Sequence, residues 1–201
     1  MTGGSDDGDA LADATTVLLL APDVQSRSMD ACVRAFRRID DSIDRVAAVT
    51  LTGSASEWLS LWTHSTLSGT KPVTCVEVDE TTRSAAVATD GATDATVERV
   101  SDPTDLEALG RRISDVLERA DDAGDDVGVA VHSLTGILRH VDESTAFKFV
   151  YTLGEVTRRV DGVAFFHLDP DAHEPTTVET FRILCDTVVQ SEGPRFTVVD
   201  R

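Results

Sequence analysis

Apolar residues recur along this chain in two alternating patterns. Short continuous runs at residues 15–20, Val46–Leu51, Val73–Val78, Val127–Val131 and Val163–Leu168 read as strands buried on both faces, because such strands carry no polar alternation. Between them the spacing turns helical. A helix near 27–40 carries Ala31, Phe36 and Ile39 on one side, and a shorter one near 55–63 carries Trp58, Leu59 and Trp62. From Asp105 to Ala120, Leu106, Leu109, Ile113, Val116 and Leu117 recur at helical steps, and Asp121–Asp126 reads as an acidic turn. A further helix at 143–160 is expected to face Phe147, Val150, Tyr151, Leu153 and Val156 inward and to end at Gly162, with another at Pro175–Cys185. Residues 80–102 break the rhythm: Ala85–Ala88 and Thr96–Val100 suggest short edge strands or an insertion. Asp186–Gln190 and Arg195–Asp200 flank the turn Glu192-Gly193-Pro194 and predict a closing hairpin.

Strands alternating with helices of this length predict a three-layer α/β sandwich. Its central sheet is mostly parallel, with the C-terminal hairpin as an antiparallel edge. A chain of 201 residues suits one such domain, expected over residues 14–201. The Gly- and Asp-rich stretch Met1–Asp13 reads as a disordered acidic tail rather than a secretory signal. No apolar run approaches the roughly 20 residues of a membrane span, so a membrane is not an expected partner and a cytoplasmic location is.

Charge narrows the function classes. Eighteen basic residues stand against 36 acidic ones, a formal net charge of −18, and Lys71 and Lys148 are the sole lysines. The acids are spread over the whole chain, the pattern of adaptation to a high-salt cytosol, where salt screens the self-repulsion. No basic stripe exists to neutralise phosphates, so nucleic acid is not an expected partner. Cys32, Cys75 and Cys185 are odd in number and far apart, which predicts buried small side chains instead of a disulfide framework or zinc ribbon.

The candidate chemistry lies after the first strand. Ala21-Pro22-Asp23-Val24-Gln25-Ser26-Arg27-Ser28 has the spacing of the phosphate-binding loop G-x-x-x-x-G-K-[ST] but matches it only at Ser28. In a working loop, backbone N–H groups wrap the phosphates, the lysine reaches the β/γ oxygens and the hydroxyl holds Mg²⁺. Here Ala21 and Ser26 replace the glycines, Arg27 replaces the lysine, and Asp23 sets a carboxylate where polyphosphate would lie.

Together with the strand Val127–Val131 ending in His132-Ser133-Leu134-Thr135, and with Phe165-Phe166-His167-Leu168-Asp169-Pro170-Asp171-Ala172-His173, this loop falls in the order of a RecA/KaiC-like ATPase core. From about residue 14 onwards the chain resembles an uncharacterised haloarchaeal branch of that superfamily. The resemblance implies that His132 stands at the position of the aspartate that binds the Mg²⁺ water shell, and that the catalytic glutamate would fall at Asp79-Glu80. Losing both nucleotide motifs removes most of the electrostatic stabilisation of phosphoryl transfer. Arginine is moreover no isosteric substitute for the loop lysine. The expectation is a pseudo-ATPase: a non-catalytic interaction or regulatory module with no cofactor, acting through a protein partner or as a homo-oligomer. The alternative is an effector-binding protein using the remodelled pocket, at Ala21–Ser28, His132 and Asp169, for ATP or another ligand; residual ATP hydrolysis ranks third.

Three further constellations have a sharp and a bland reading. Adjacent strands ending at Val131 and Leu168 would bring His132 to Asp169 and His173 at the carboxyl edge, a donor set suited to a first-row metal; hydrogen bonding within the edge is the simpler role. Ser133 with His132 or His167 and Asp169 imitates a hydrolase triad but lacks a G-x-S-x-G elbow. Trp58 and Trp62 share one helical face, as core or as an aromatic contact surface.

Overall fold

The computed structural model describes residues 14–23, 26–39, 43–65, 71–78, 95–192 and 195–199. In chain order the elements are β1 (Thr16–Leu20), α1 (Ser26–Ile39), β2 (Arg45–Thr50), α2 (Ala55–Ser65), β3 (Val73–Val78) and β4 (Ala95–Val100). They continue through α3 (Leu106–Ala123), β5 (Val127–His132), α4 (Leu134–Leu138), α5 (Glu143–Arg159), β6 (Val163–Leu168) and a 3₁₀ turn at Pro170–Ala172. The last are α6 (Pro175–Arg182), β7 (Thr187–Glu192) and β8 (Arg195–Val199). All strands join one sheet in the order β4-β3-β2-β5-β6-β1-β7-β8. Every pairing is parallel except β7 with β8, the expected hairpin.

Both faces of the sheet are covered, which is why its strands read as unbroken apolar runs. On one face Leu18, Val49, Val129 and Phe166 pack against Leu109, Ile113 and Leu117 of α3 and Phe149, Val150 and Leu153 of α5. On the other, Leu19, Ala48 and Phe165 meet Phe36 of α1 and Trp58 and Trp62 of α2. The two indoles stack at 5.2 Å, and Phe36 lies 6.0 Å from both Trp62 and Phe165. Both tryptophans are buried, so the core reading holds and the contact-surface reading does not. Cys32, Cys75 and Cys185 are likewise buried and free. Burial pushes the Cys32 and Cys75 thiols up to about 12, away from reactivity.

Several boundaries move for identifiable reasons. The Asp105 carboxylate caps α3 by accepting from Ala108 N, and the helix runs past Ala120 through Asp121 and Asp122 until Gly124 turns left-handed at φ 71°. Asp121 and Asp122 thus join the last helical turn, and Asp125 and Asp126 lie in the connection that leads to β5. In α5 the inward stripe is Ala146, Phe149, Val150, Leu153, Gly154 and Thr157. Tyr151 sits off that stripe and is 56% exposed, and Phe147 is half-buried, correcting the expected inward set. Thr96–Val100 forms the outermost strand beside β3, whereas Ala85–Ala88 and the Met1–Asp13 tail lie outside the described residues. Helix α6 ends at Arg182, short of Cys185. Among the described residues no helix is long and apolar enough to cross a membrane.

Gly128 shows how closely α1 rides on β5. A Cβ built there would run into the Phe36 ring and lie 3.0 Å from Ile43 Cδ1. Gly128→Ala is expected to cost about 1–3 kcal/mol through overpacking, read as a lower urea midpoint with an unchanged slope. An unchanged midpoint would show that α1 is free to shift.

Candidate functional site

At the carboxyl edge of the sheet the ends of β1, β5 and β6 converge. Three local devices shape the edge. Ala21 continues β1 by donating its N–H to Leu168 O at 3.1 Å, and Leu51 N reaches His132 O at 2.8 Å. Ser133, joined to His132 by a cis peptide, caps α4 by accepting from Gly136 N at 3.1 Å. Ser54 caps α2 by accepting from Glu57 N at 3.2 Å. The strand ends thus turn directly into short helices that carry polar side chains around one cleft.

The centre of the edge is Ser28, on the first turns of α1 and 1% exposed. Its hydroxyl lies 2.8 Å from Asp23 Oδ1 and 3.0 Å from His132 Nε2. The carboxylate is the stronger acceptor, so it takes the Ser28 hydrogen and leaves Nε2 as the protonated nitrogen of His132. His132 Nδ1 is then free to accept from Thr52 Oγ1 at 3.3 Å. Beneath it the His167 ring stacks at 4.8 Å, 8° from parallel, with Nε2 donating to Ala21 O at 2.9 Å. His167 Nδ1 is buried with no hydrogen-bond partner among the described residues. Burial first, then the neighbouring His167, pushes His132 down to about 4, and burial lowers His167 too. Both imidazoles are neutral at pH 7.

Asp23, Met29, Thr52, Gly53, Glu57, His132 and Arg139 line a cleft of about 400 Å³ above this network. The sequence reading contained Asp23 and His132 but missed Thr52, Glu57 and Arg139, since none belongs to a nucleotide motif. The available signal was sheet order. β2 lies between β3 and β5, so the segment following β2 reaches the cleft and the one following β3 is a strand further away. Asp79-Glu80 itself lies outside the described residues.

The expected metal set is divided. Strands β5 and β6 are neighbours as expected, but His132 turns to Ser28 and Thr52 while Asp169 N and His173 Nε2 meet Thr135 Oγ1 at 3.0 and 3.1 Å. Among the described residues no three His, Cys, Asp or Glu side chains are placed to hold a metal ion, and His132, Asp169 and His173 take the hydrogen-bonding role within the edge. The Ser133 triad falls as well, because this serine is fully buried as a helix cap. Of the loop positions, Ala21 is buried under His167's hydrogen bond and Ser26 and Arg27 open α1, their side chains outside the described set.

Comparison with known proteins places the chain. Residues 14–191 match the pattern of a family of unknown function, DUF7504. The chain belongs to DUF7504. No curated protein sequence matches it. Among solved structures, the flagellar accessory protein FlaH from Methanocaldococcus jannaschii superposes with a TM-score of 0.54 at 8% identity, over 92% of this chain and 75% of that one. The uncharacterized protein PH0321 from Pyrococcus horikoshii, solved with an unknown peptide, gives 0.55 at 13% identity, over 89% and 77%. An ATPase of the type III secretion system of pathogenic bacteria gives 0.53 at 16% identity over 89% of this chain, which spans 51% of that protein. These likenesses show that this DUF7504 chain has a RecA-like α/β fold.

Proposed function

We propose that this member of DUF7504 is a non-catalytic module on a RecA-like frame, acting by self-association or by binding a protein partner. One observation carries the reading: the Ser28 hydroxyl is bonded to Asp23 and His132. In the resemblance Ser28 stands at the position of the Mg²⁺ hydroxyl ligand and His132 at that of the Mg²⁺ carboxylate. A Mg²⁺–nucleotide does not fit the residues present. His132 turns its Nε2–H toward Ser28 and supplies no oxygen ligand for Mg²⁺, and Asp23 and Glu57 turn two carboxylates toward the space polyphosphate would need. Burying a methyl group at Ala21 and losing the loop lysine act in the same direction. The net charge of −18 supports a working environment of high salt.

The test is phosphate release from ATP with Mg²⁺ in multimolar KCl, together with light scattering of the same sample. No turnover above background and an assembled or partner-bound species are expected. Mg²⁺-dependent turnover that Ser28→Ala abolishes would overturn the non-catalytic reading, and a strict monomer capturing no partner would overturn the assembly reading. A second reading, binding of a small effector, is favoured by the cleft itself, which lies near the low end of the volumes that small ligands occupy.

A further inference from the structure

The cleft holds charged groups of both signs, Glu57 and Arg139, that form no ion pair among the described residues. Elsewhere the arginines are well supplied: Arg34, Arg45, Arg99, Arg111, Arg112, Arg119, Arg158 and Arg182 all reach carboxylates. Among the described arginines only Arg139 and Arg159 reach no carboxylate, although acids outnumber bases two to one, and of the two it is Arg139 that lines the cleft. Arg139, at the end of α4, makes no ion pair among the described residues, and neither does Glu57 on α2. Both line the same cleft, so the fold holds opposite charges on its walls without letting them meet.

The lining is also tight beside Glu57. Gly53 has φ +101°, a conformation side chains rarely adopt, and a Cβ there would sit 2.8 Å from Met29 Cε and 3.3 Å from Glu57 Oε2. Thr52 and His132 supply neutral polar groups, and Met29 supplies a soft apolar wall. The lining contains two acidic residues and one basic residue, a formal balance that repels polyphosphate and suits a ligand of zero or single positive charge.

We infer that the cleft binds a small zwitterion of the α-amino-acid class, its ammonium group between Glu57 and Asp23 and its carboxylate on Arg139. The inference rests on the effector-binding reading and gives it a ligand chemistry. Arginine offers a planar fork that matches a carboxylate, and two acids opposite it fix the orientation of the ammonium end.

The experiment uses the full chain in KCl buffer. The twenty L-α-amino acids are screened singly by thermal shift, alongside MgATP and inorganic phosphate, and each stabilising compound is titrated by calorimetry. The expected result is saturable binding of at least one amino acid, weakened roughly tenfold to a hundredfold by Arg139→Gln and by Glu57→Gln. The amine lacking the hit's carboxylate should bind wild type and Arg139→Gln equally, whereas Glu57→Gln should weaken it. Circular dichroism confirms that both variants fold. The inference is overturned if no amino acid binds, or if the hits bind both variants undiminished. Binding of MgATP or phosphate alone would overturn the zwitterion while leaving an effector site standing; no binding by any compound would remove both.

Discussion

His132→Asp is expected to destabilise the protein by about 3–5 kcal/mol and to leave ATP hydrolysis at background. The substitution restores the residue type that the RecA-like resemblance assigns to this position, which makes it a direct test of how far the site has diverged. His132 is 2% exposed, stacked on His167 and bonded to Ser28 and Thr52. Aspartate is shorter, so the stack and the Thr52 contact are lost and a void opens beside His167. Its carboxylate would also share the Ser28 hydroxyl with Asp23, two like charges around one donor. His132→Asn removes the ring without adding charge and should cost less, so the difference between the two isolates the electrostatic part. Urea midpoints at pH 7.5 in constant KCl provide the measurement. If Mg²⁺ restored the aspartate variant to parental stability and ATP turnover appeared, the nucleotide site would be one substitution from function. That outcome would refute the reading that the rest of the pocket no longer accommodates a Mg²⁺–nucleotide.

The order of strands and helices was legible because each β–α step writes its own periodicity, and the hairpin because Gly193-Pro194 punctuates it. The helical face of α5 was misjudged at Tyr151: a tyrosine between Val150 and Leu153 adds apolar weight to the sequence pattern, while the packed stripe follows Ala146, Val150, Leu153 and Thr157. Small residues carry that stripe where α5 approaches the sheet, as at Gly154, whose Cβ would lie 2.9 Å from Thr16 Cγ2. At the site, the sequence exposed what the loop lacks and hid what replaces it. Ser28 and His132 are 104 positions apart, and their bond depends on β1 and β5 being held either side of β6. Glu57 and Arg139 were invisible for a related reason: a cleft is defined by which strand ends are neighbours, and no local pattern states that β2 separates β3 from β5.

The buried histidine pair should also make the protein lose stability between pH 6.5 and pH 4. His132 has a pKa of about 4 in the folded chain against 6.5 when solvated, so the unfolded chain takes up its proton first as the pH falls. Where the unfolded state binds more protons, stability rises with pH; acidification through this window therefore destabilises the fold. The displacement corresponds to about 3 kcal/mol for His132, and His167, lowered by burial, adds in the same direction. Asp23 faces both rings and Asp169 faces His167; each favours the charged imidazolium, but burial outweighs them at both rings, helped at His132 by the neighbouring His167. Two other effects are separable. Asp102, Asp142 and Asp186 are held below the ordinary carboxylate value, so their stabilising contribution is lost only as the pH falls lower still. Neutralising surface acids relieves the repulsion of a chain with net charge −18, an opposing trend that multimolar KCl suppresses by screening. Urea midpoints at half-unit steps from pH 7.5 to 4.5 in that salt should fall steadily for the parent. His132→Gln should start lower and fall less steeply, because the main titrating ring is gone. A parent midpoint that stays flat, or a variant that keeps the full slope, would mean that the rings titrate as if they were exposed and that the Ser28–His132 edge opens to water.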